Sequence, residues 1–391
     1  MHTGPGDDLH LLTPGRGTGN VRRESARPRE HEMRAAIFTG TLDLSIEDVT
    51  PLDPGPADVV VRIGASGVCH SDVSAANGTI PTGPPCILGH EGAGVIEWVG
   101  PEVTRVAVGD HVVASFIPTC GNCFWCLRGE SNLCAMSGEV FLKPKATRAD
   151  GSVATSMTGL GTFADQMTCN QANVVKIDTD LPDAQLALIG CGVTTGVGAA
   201  LNTARITPGS TVAVIGCGGV GQAVIQGARI AGASRIFAID PVEMKRKTAE
   251  SFGATDPVDP ADGDAVAQVM ALTGGIGADY AFEVIGLPET VVQASAMARR
   301  GGTAVVVGMP KWDSQVTLGG FQLFYDEKKL LGCVYGSAQV RSDFQRFIDL
   351  VETGRLDLGS MVSAEIGLDD VNDAFRAMQA GEVIRSVITH V

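Results

Sequence analysis

The chain is 391 residues long, enough for two hydrophobic cores rather than one. Its net charge of −15 argues against nucleic acid and anionic membrane as partners. With 44% apolar and 19% charged residues the composition is that of a soluble globular protein, and no uncharged apolar run approaches the roughly 20 residues of a bilayer-spanning helix.

Residues 1–32 are rich in Gly, Pro, Arg and Asp and show no apolar periodicity, so this segment is expected to be disordered. Arg22-Arg23 has no apolar stretch after it and does not make an export signal. Met33 is an alternative start. Folded structure is expected from Ala35 onward. Val59–Ile63, Gly94–Val99 and a strand after Gly109-Asp110 are short β-branched runs punctuated by Gly and Pro, the pattern of a mostly β first domain.

Three chemistry-bearing stretches fall in or near this part of the chain. They are Cys69-His70-Ser71-Asp72, Gly89-His90-Glu91 and Gly190-Cys191-Gly192. Cys69, His90 and Cys191 can close on one zinc and leave its fourth position open, as a catalytic zinc requires. Between them, Cys120, Cys123, Cys126 and Cys134 crowd four thiols into one short lobe. That set suits a closed tetrahedral zinc with a structural role in a reducing cytoplasm. Cys86, Cys169, Cys217 and Cys333 join no cluster and are expected to be small buried hydrophobes.

A second domain opens near Val193. The apolar run Thr211–Ile215 reads as a buried parallel strand. It leads into Gly216-Cys217-Gly218-Gly219-Val220-Gly221, and a helical pattern follows to Gly232. The next strand, Arg235–Ile239, ends at Asp240. A glycine-rich turn between strand and helix, with an acidic residue about 20 positions on, is a dinucleotide fingerprint. The helix start favours phosphate charge, and Asp240 should accept from the adenosine ribose and repel a 2′-phosphate, which favours NAD over NADP. Further strands are expected at Tyr280–Gly286, Thr303–Gly308 and Leu330–Tyr335, with helices between them, so the sheet is doubly wound and parallel. A helix from Asp343 to Glu352 leads to a tail, ending Val383–Ile388, that is expected to return to the first domain.

Taken together, these motifs resemble the zinc-dependent medium-chain alcohol dehydrogenases, over essentially all of Met33–Val391. The runs Leu160–Phe163 and Gly190–Gly196 resemble an actinobacterial branch that includes nicotinoprotein-type members, some of which hold the cofactor tightly. The resemblance implies an α/β protein with a GroES-like, mostly β catalytic domain (33–192, with 338–391 returning to it) and a Rossmann NAD-binding domain (193–337). It implies two zinc ions and NAD per chain, a small alcohol or aldehyde substrate, and a homodimer, because the segment from Cys134 to Cys191 is long. In its terms Cys69, His90 and Cys191 hold the catalytic zinc. Asp72 orients His90, Glu91 eases ligand exchange, and Ser71 takes the alcohol proton. Thr195 and Val220 pack on the nicotinamide, Lys245 reaches the ribose, and His70 and Arg385 touch the pyrophosphate. Gly216, Gly218, Gly219, Val220, Gly221 and Asp240 form the cofactor fingerprint, and Phe116 and Leu160 line the substrate pocket. Ser74 stands where many relatives end the proton relay with a His, and His70 where several use Arg. A thiol-adduct formaldehyde dehydrogenase, a biosynthetic aldehyde reductase and a non-catalytic nucleotide-binding protein are the alternative readings.

Overall fold

The computed structural model describes residues 1, 32–141 and 143–390. The disorder expected for 1–32 therefore falls almost wholly outside the described residues. From Met33 the strands are β1 (Met33–Phe38), β2 (Ser45–Pro51), β3 (Asp58–Gly67), β4 (Cys86–Ile87), β5 (Gly92–Val99) and β6 (His111–Ala114). They are followed by β7 (Ala146–Thr147), β8 (Val153–Ser156), β9 (Gln166–Asn170) and β10 (Val174–Lys176). β1, β2, β7, β8 and β4 close into a small barrel. A second sheet runs β10-β6-β5-β3, with β9 also on β3. Alternate residues of β3, Val59, Val61 and Ile63, share one core with Ile96, Val112 and Ala114, as the two faces of a pleated strand require.

A 21-residue helix, Asp183–Thr203, crosses from this region to the next. The uncharged run within it corrects the expectation that no such run exists. By length and composition it could span a bilayer, yet 83% of its most apolar window is buried inside the protein. It is apolar because it is packed on both sides. Leu186, Leu188 and Ile189 share a cluster with Ala65, Ala93 and Val113 of the β-rich part. Farther along, a Cβ at Gly196 would lie 2.5 Å from the Ala223 Cβ of the next helix. The expected boundary at Val193 falls in the middle of this helix.

The remaining strands are β11 (Thr211–Ile215), β12 (Arg235–Ile239), β13 (Asp256–Val258), β14 (Ala278–Glu283), β15 (Ala298–Val306) and β16 (Lys329–Gly332). They form one six-stranded parallel sheet in the order β13-β12-β11-β14-β15-β16. This is the doubly wound order, with its topological switch between β11 and β14. Val212 and Val214 face one core, and Ala213 and Ile215 face the opposite one. Burial on both faces explains why β11 reads as a continuous apolar run rather than an alternating one.

Three expected strands end early, β15 stopping at Val306, two residues short of Gly308. β14 stops at Glu283, whose Oε1 accepts from the Ile285 and Gly286 amides at 2.8 and 2.7 Å. Those amides are taken from the ladder, and Gly286 turns at φ +94°. β16 stops at Gly332, and Tyr335 lies in a left-handed turn at φ +55°. After the helix Val340–Glu352 come β17 (Ala364–Ile366), the helix Val371–Ala380 and β18 (Ser386–Thr389). β18 pairs antiparallel with β3, Val387 opposite Gly67, so the chain's end lies in the β-rich sheet.

Candidate active site

Asp72 organises the first half of the site. Cys69 caps the short helix His70–Ala76, and the Asp72 Oδ2 atom accepts from the Cys69 amide at 2.9 Å. Its Oδ1 atom accepts from the Gly89 amide at 3.1 Å and lies 3.0 Å from His90 Nδ1. One fully buried carboxylate thus fixes both segments and the imidazole. Gly89 turns at φ +88°, and a Cβ there would come within 2.5 Å of the Phe163 amide nitrogen. Cys191 arrives from the Asp183–Thr203 helix, in the π-type turn Ile189–Val193, a form of irregularity often found at functional positions. A Cβ at Gly192 would stand 2.6 Å from the Arg385 guanidinium, so a larger residue beside the thiol would have to displace that arginine.

The donor atoms of Cys69, His90, Glu91 and Cys191 lie within 4.8 Å of one another, and all four residues are buried. His90 Nε2 is buried and has no hydrogen-bond partner among the described residues. A buried nitrogen left unpaired is costly, and here its ring is held by a carboxylate on the other nitrogen, the arrangement of a metal-ligating histidine. The Cys191 hydrogen bond holds the Cys69 thiol well below its usual range, and the same bond with burial pushes Cys191 well above it. Two buried thiols sharing one proton are a donor pair that a divalent cation suits. Burial lowers the basicity of His90, but the Asp72 charge outweighs it and the pKa lies well above the ordinary value. Burial pushes Glu91 up to about 7 against the pull of Arg385.

Glu91 makes an ion pair with Arg385 and also accepts from the Gly192 amide at 3.2 Å. Arg385 then reaches the Val68 carbonyl at 3.3 Å. Its stem covers the glycine-rich loop, since a Cβ at Gly219 would lie 2.4 Å from Arg385 Cδ. This tie between the metal donors and the loop was not foreseen, because 294 residues separate Glu91 from Arg385.

The loop itself is tight. Gly216 turns at φ +95°, and a Cβ at Gly221 would be 1.9 Å from the Gly216 carbonyl oxygen. Gly218 is the N-cap of the helix Gly219–Ile230. Asp240 is buried and accepts from the Cys217 amide at 2.9 Å and the Val242 amide at 2.8 Å. Thr195 and Val220 are half-buried, and Gly196, next to Thr195, is pressed onto the Gly219–Ile230 helix, where a Cβ would stand 2.5 Å from the Val220 carbonyl. His70 is exposed at its helix start, and Lys245 packs near Gly381. Ser71 Oγ lies 3.8 Å from Cys69 Sγ.

Phe116 presents its ring edge-on to His90 at 5.8 Å. It also packs against a core cluster that contains Leu160, itself fully buried. The sequence reading missed Tyr335. Its ring lies 4.2 Å from Phe116, and its hydroxyl donates to the Gly190 carbonyl, next to Cys191. Burial holds the phenol well above its usual pKa, so it stays a donor. Gly336, immediately after the expected strand, was the available signal, since glycine there marks a turn or a close backbone approach.

The four-cysteine lobe is also assembled. Cys120, Cys123, Cys126 and Cys134 bring their sulfurs within 4.8 Å, and none forms a disulfide. Sulfurs of Cys120 and Cys126 are 3.8 Å apart, and those of Cys123 and Cys134 4.0 Å. The Cys126 amide donates to Cys123 Sγ and holds that thiol down at about 6, while burial pushes Cys126 up to about 12.

Comparison with known proteins gives a consistent result. Residues 55–179 match the family described as alcohol dehydrogenase GroES-like domain, and residues 219–353 the family described as zinc-binding dehydrogenase. The chain is 37% identical to an NDMA-dependent alcohol dehydrogenase of Amycolatopsis methanolica, covering 91% of this chain and 98% of that one. An S-(hydroxymethyl)glutathione dehydrogenase of Synechocystis is also 37% identical, covering 91% and 99%. Among solved structures, the benzyl alcohol dehydrogenase of Acinetobacter calcoaceticus superposes with a TM-score of 0.86 at 29% identity, covering 92% of this chain and 99% of that one.

Proposed function

The chain belongs to the zinc-dependent alcohol dehydrogenase family, oxidoreductases acting on CH–OH groups, and from that premise we propose how its residues divide the work. The supporting observation is the convergence of Cys69, His90 and Cys191 from three segments, with His90 Nε2 buried and without a hydrogen-bond partner among the described residues. These three would hold a catalytic zinc, and Cys120, Cys123, Cys126 and Cys134 a second, structural one. When bound, zinc supplies Lewis acidity and NAD(P) accepts the hydride. Asp72 fixes the tautomer and angle of His90. Ser71, beside Cys69, takes the substrate hydroxyl proton and passes it outward past Ser74. Phe116, packed on the Leu160 core, excludes water from the pocket. Glu91 and Arg385 hold the metal donors against the glycine loop, where Gly216, Gly218, Gly219 and Gly221 admit the pyrophosphate backbone-close. Thr195 and Val220 seat the nicotinamide, Lys245 and Arg385 supply positive charge toward the phosphates and ribose, and His70, whose pKa burial lowers, offers the phosphates a neutral hydrogen-bond partner.

We further propose NAD as the preferred cofactor on the strength of Asp240, a catalytic unit formed by 33–192 with 338–391, a nucleotide-binding unit formed by 193–337, and a cytoplasmic homodimer. The Synechocystis relative supports a second reading, oxidation of a hydroxymethyl thioether. A panel of alcohols, aldehydes and S-(hydroxymethyl)glutathione, followed by NADH absorbance with and without added NAD, separates the two. Turnover confined to the thioether would replace the first reading with the second, and no turnover of any member would overturn both.

A further inference from the structure

The turn after β16 is unusual. Tyr335, Gly336 and Ser337 adopt φ of +55°, +63° and +48° in succession. Two of the three carry side chains, and left-handed backbone is unfavourable for such residues unless their surroundings hold it. The surroundings here do. Gly336 is pressed onto the Asp183–Thr203 helix so closely that a Cβ would lie 2.2 Å from the Thr194 carbonyl oxygen. Asn202 donates to the Gly336 carbonyl at 3.3 Å, and Thr203 and Ser337 share a hydroxyl contact at 2.8 Å. From the other side the four-cysteine lobe grips the same segment. Asn132 donates to the Val334 carbonyl at 3.2 Å, Ser131 to the Ala338 carbonyl at 3.3 Å, and Arg341 to the Thr119 carbonyl.

The effect of this strained turn is to aim one side chain. Tyr335 is directed into the protein, its hydroxyl on the Gly190 carbonyl and its ring against Phe116. Gly190 immediately precedes Cys191, and Phe116 contacts the His90 ring. Gly190 itself has no slack, since a Cβ there would be 2.9 Å from the Ala114 carbonyl oxygen. One side chain therefore touches the supports of two of the three metal donors.

We propose that Tyr335 is a positioning residue for the catalytic metal, setting Cys191 through the Gly190 carbonyl and His90 through Phe116, with the four-cysteine lobe as the brace of the turn that aims it. This rests on the reading of Cys69, His90 and Cys191 as the metal set. A hydroxyl-to-carbonyl contact beside a ligand fixes where that ligand's sulfur sits, and outer contacts of this type are known to tune metal sites.

Tyr335→Phe removes the hydroxyl and keeps the ring. The test is cobalt substitution of the catalytic site in the full-length protein, read by the visible thiolate-to-cobalt and d–d bands, beside melting temperature and kcat. Wild type must first show thiolate-to-cobalt bands that Cys191→Ser alters. If it does not, the metal-set reading fails, independently of Tyr335. Given those bands, Tyr335→Phe should shift them and lower kcat about tenfold or more with KM for NAD changed less. Asn132→Ala, which loosens the turn from the lobe side, should shift the bands in the same direction by a smaller amount. Cobalt bands in Tyr335→Phe identical to wild type, whatever the melting temperature, would overturn the proposal.

Discussion

The two sulfur-rich centres of this chain differ in how they are built. Cys120, Cys123, Cys126 and Cys134 come from one stretch of fifteen residues, and each is at most a short loop from the next. Three of the four are only half-buried. The other centre draws Cys69, His90 and Cys191 from three segments spread over more than a hundred residues, and all are buried. A local set needs little of the fold to form, and can contribute to folding. A dispersed set forms only when the fold is complete, and then its geometry is imposed by neighbours such as Asp72 and Tyr335. On the proposed assignment the first has four thiol donors and no position for a substrate. The second would use three donors, with Glu91 drawn into its ion pair with Arg385, and would leave a place for chemistry.

The largest effect should come from breaking the dispersed centre. Cys69→Ser is expected to lower kcat/KM by about three orders of magnitude, since the lost Lewis acidity is worth several kcal/mol, while the melting temperature stays near that of wild type. Steady-state kinetics beside calorimetry checks both halves. Breaking the local centre should reverse the order. Cys123→Ser is expected to cost stability of order 4 kcal/mol, seen as a lowered denaturation midpoint, with the folded fraction losing far less activity than Cys69→Ser does. A Cys123→Ser protein that melts like wild type would remove the distinction.

At the glycine loop the effect should be intermediate. Asp240→Ala should reduce the NAD-over-NADP ratio of kcat/KM about tenfold by relieving repulsion of the 2′-phosphate. A better kcat/KM with NADP in the wild type would contradict the assignment outright.

Thiol chemistry sharpens the contrast further. Burial pushes Cys169 up to about 12 and Cys86 up to about 11. A raised pKa keeps these thiols protonated at pH 8, and reactivity would rise only as pH climbs toward those values. After gentle chelation at pH 8, iodoacetamide should label Cys123, held down at about 6, well before Cys86 or Cys169. Mass spectrometry of the labelled peptides gives the order.

The smallest effect concerns Ser74. Serine can pass a proton but not hold one, whereas a His there would have a pKa near 6.5. If release of the proton limits turnover, Ser74→His raises alcohol oxidation below pH 8 and changes little above it. Coincident pH–rate profiles from pH 6 to pH 9 would show that Ser74 does not limit the relay.

What could be read from the sequence follows the same division. The four-cysteine lobe, the glycine loop and β11 were legible because their signals are local: spacing, turn chemistry and an apolar run. The dispersed centre was legible only piecewise, as Cys and His stretches set among glycines. The ion pair of Glu91 with Arg385 and the contact of Tyr335 with Gly190 span 294 and 145 residues and leave no local trace. The ends of β14 and β16 were misplaced for a related reason. In β14 a side chain, Glu283, takes the amides that propensity alone would give to the strand. At β16 the packing of Gly336 on a distant helix overrides the β-forming character of Val334 and Tyr335. The apolar stretch within Asp183–Thr203 is hard to read as one run because its Gln, Thr and Asn residues dilute it, although no charge interrupts it after Asp183.

The claim that the two centres are separate, one closed and one open, is tested most directly by zinc content per chain in purified wild type, Cys69→Ser and Cys123→Ser proteins. The account predicts two equivalents in wild type and one in each variant, with the equivalent kept by Cys69→Ser accompanied by wild-type stability and the equivalent kept by Cys123→Ser accompanied by retained turnover. A single equivalent in wild type, or loss of all zinc and all turnover in the folded fraction of Cys123→Ser, would contradict it.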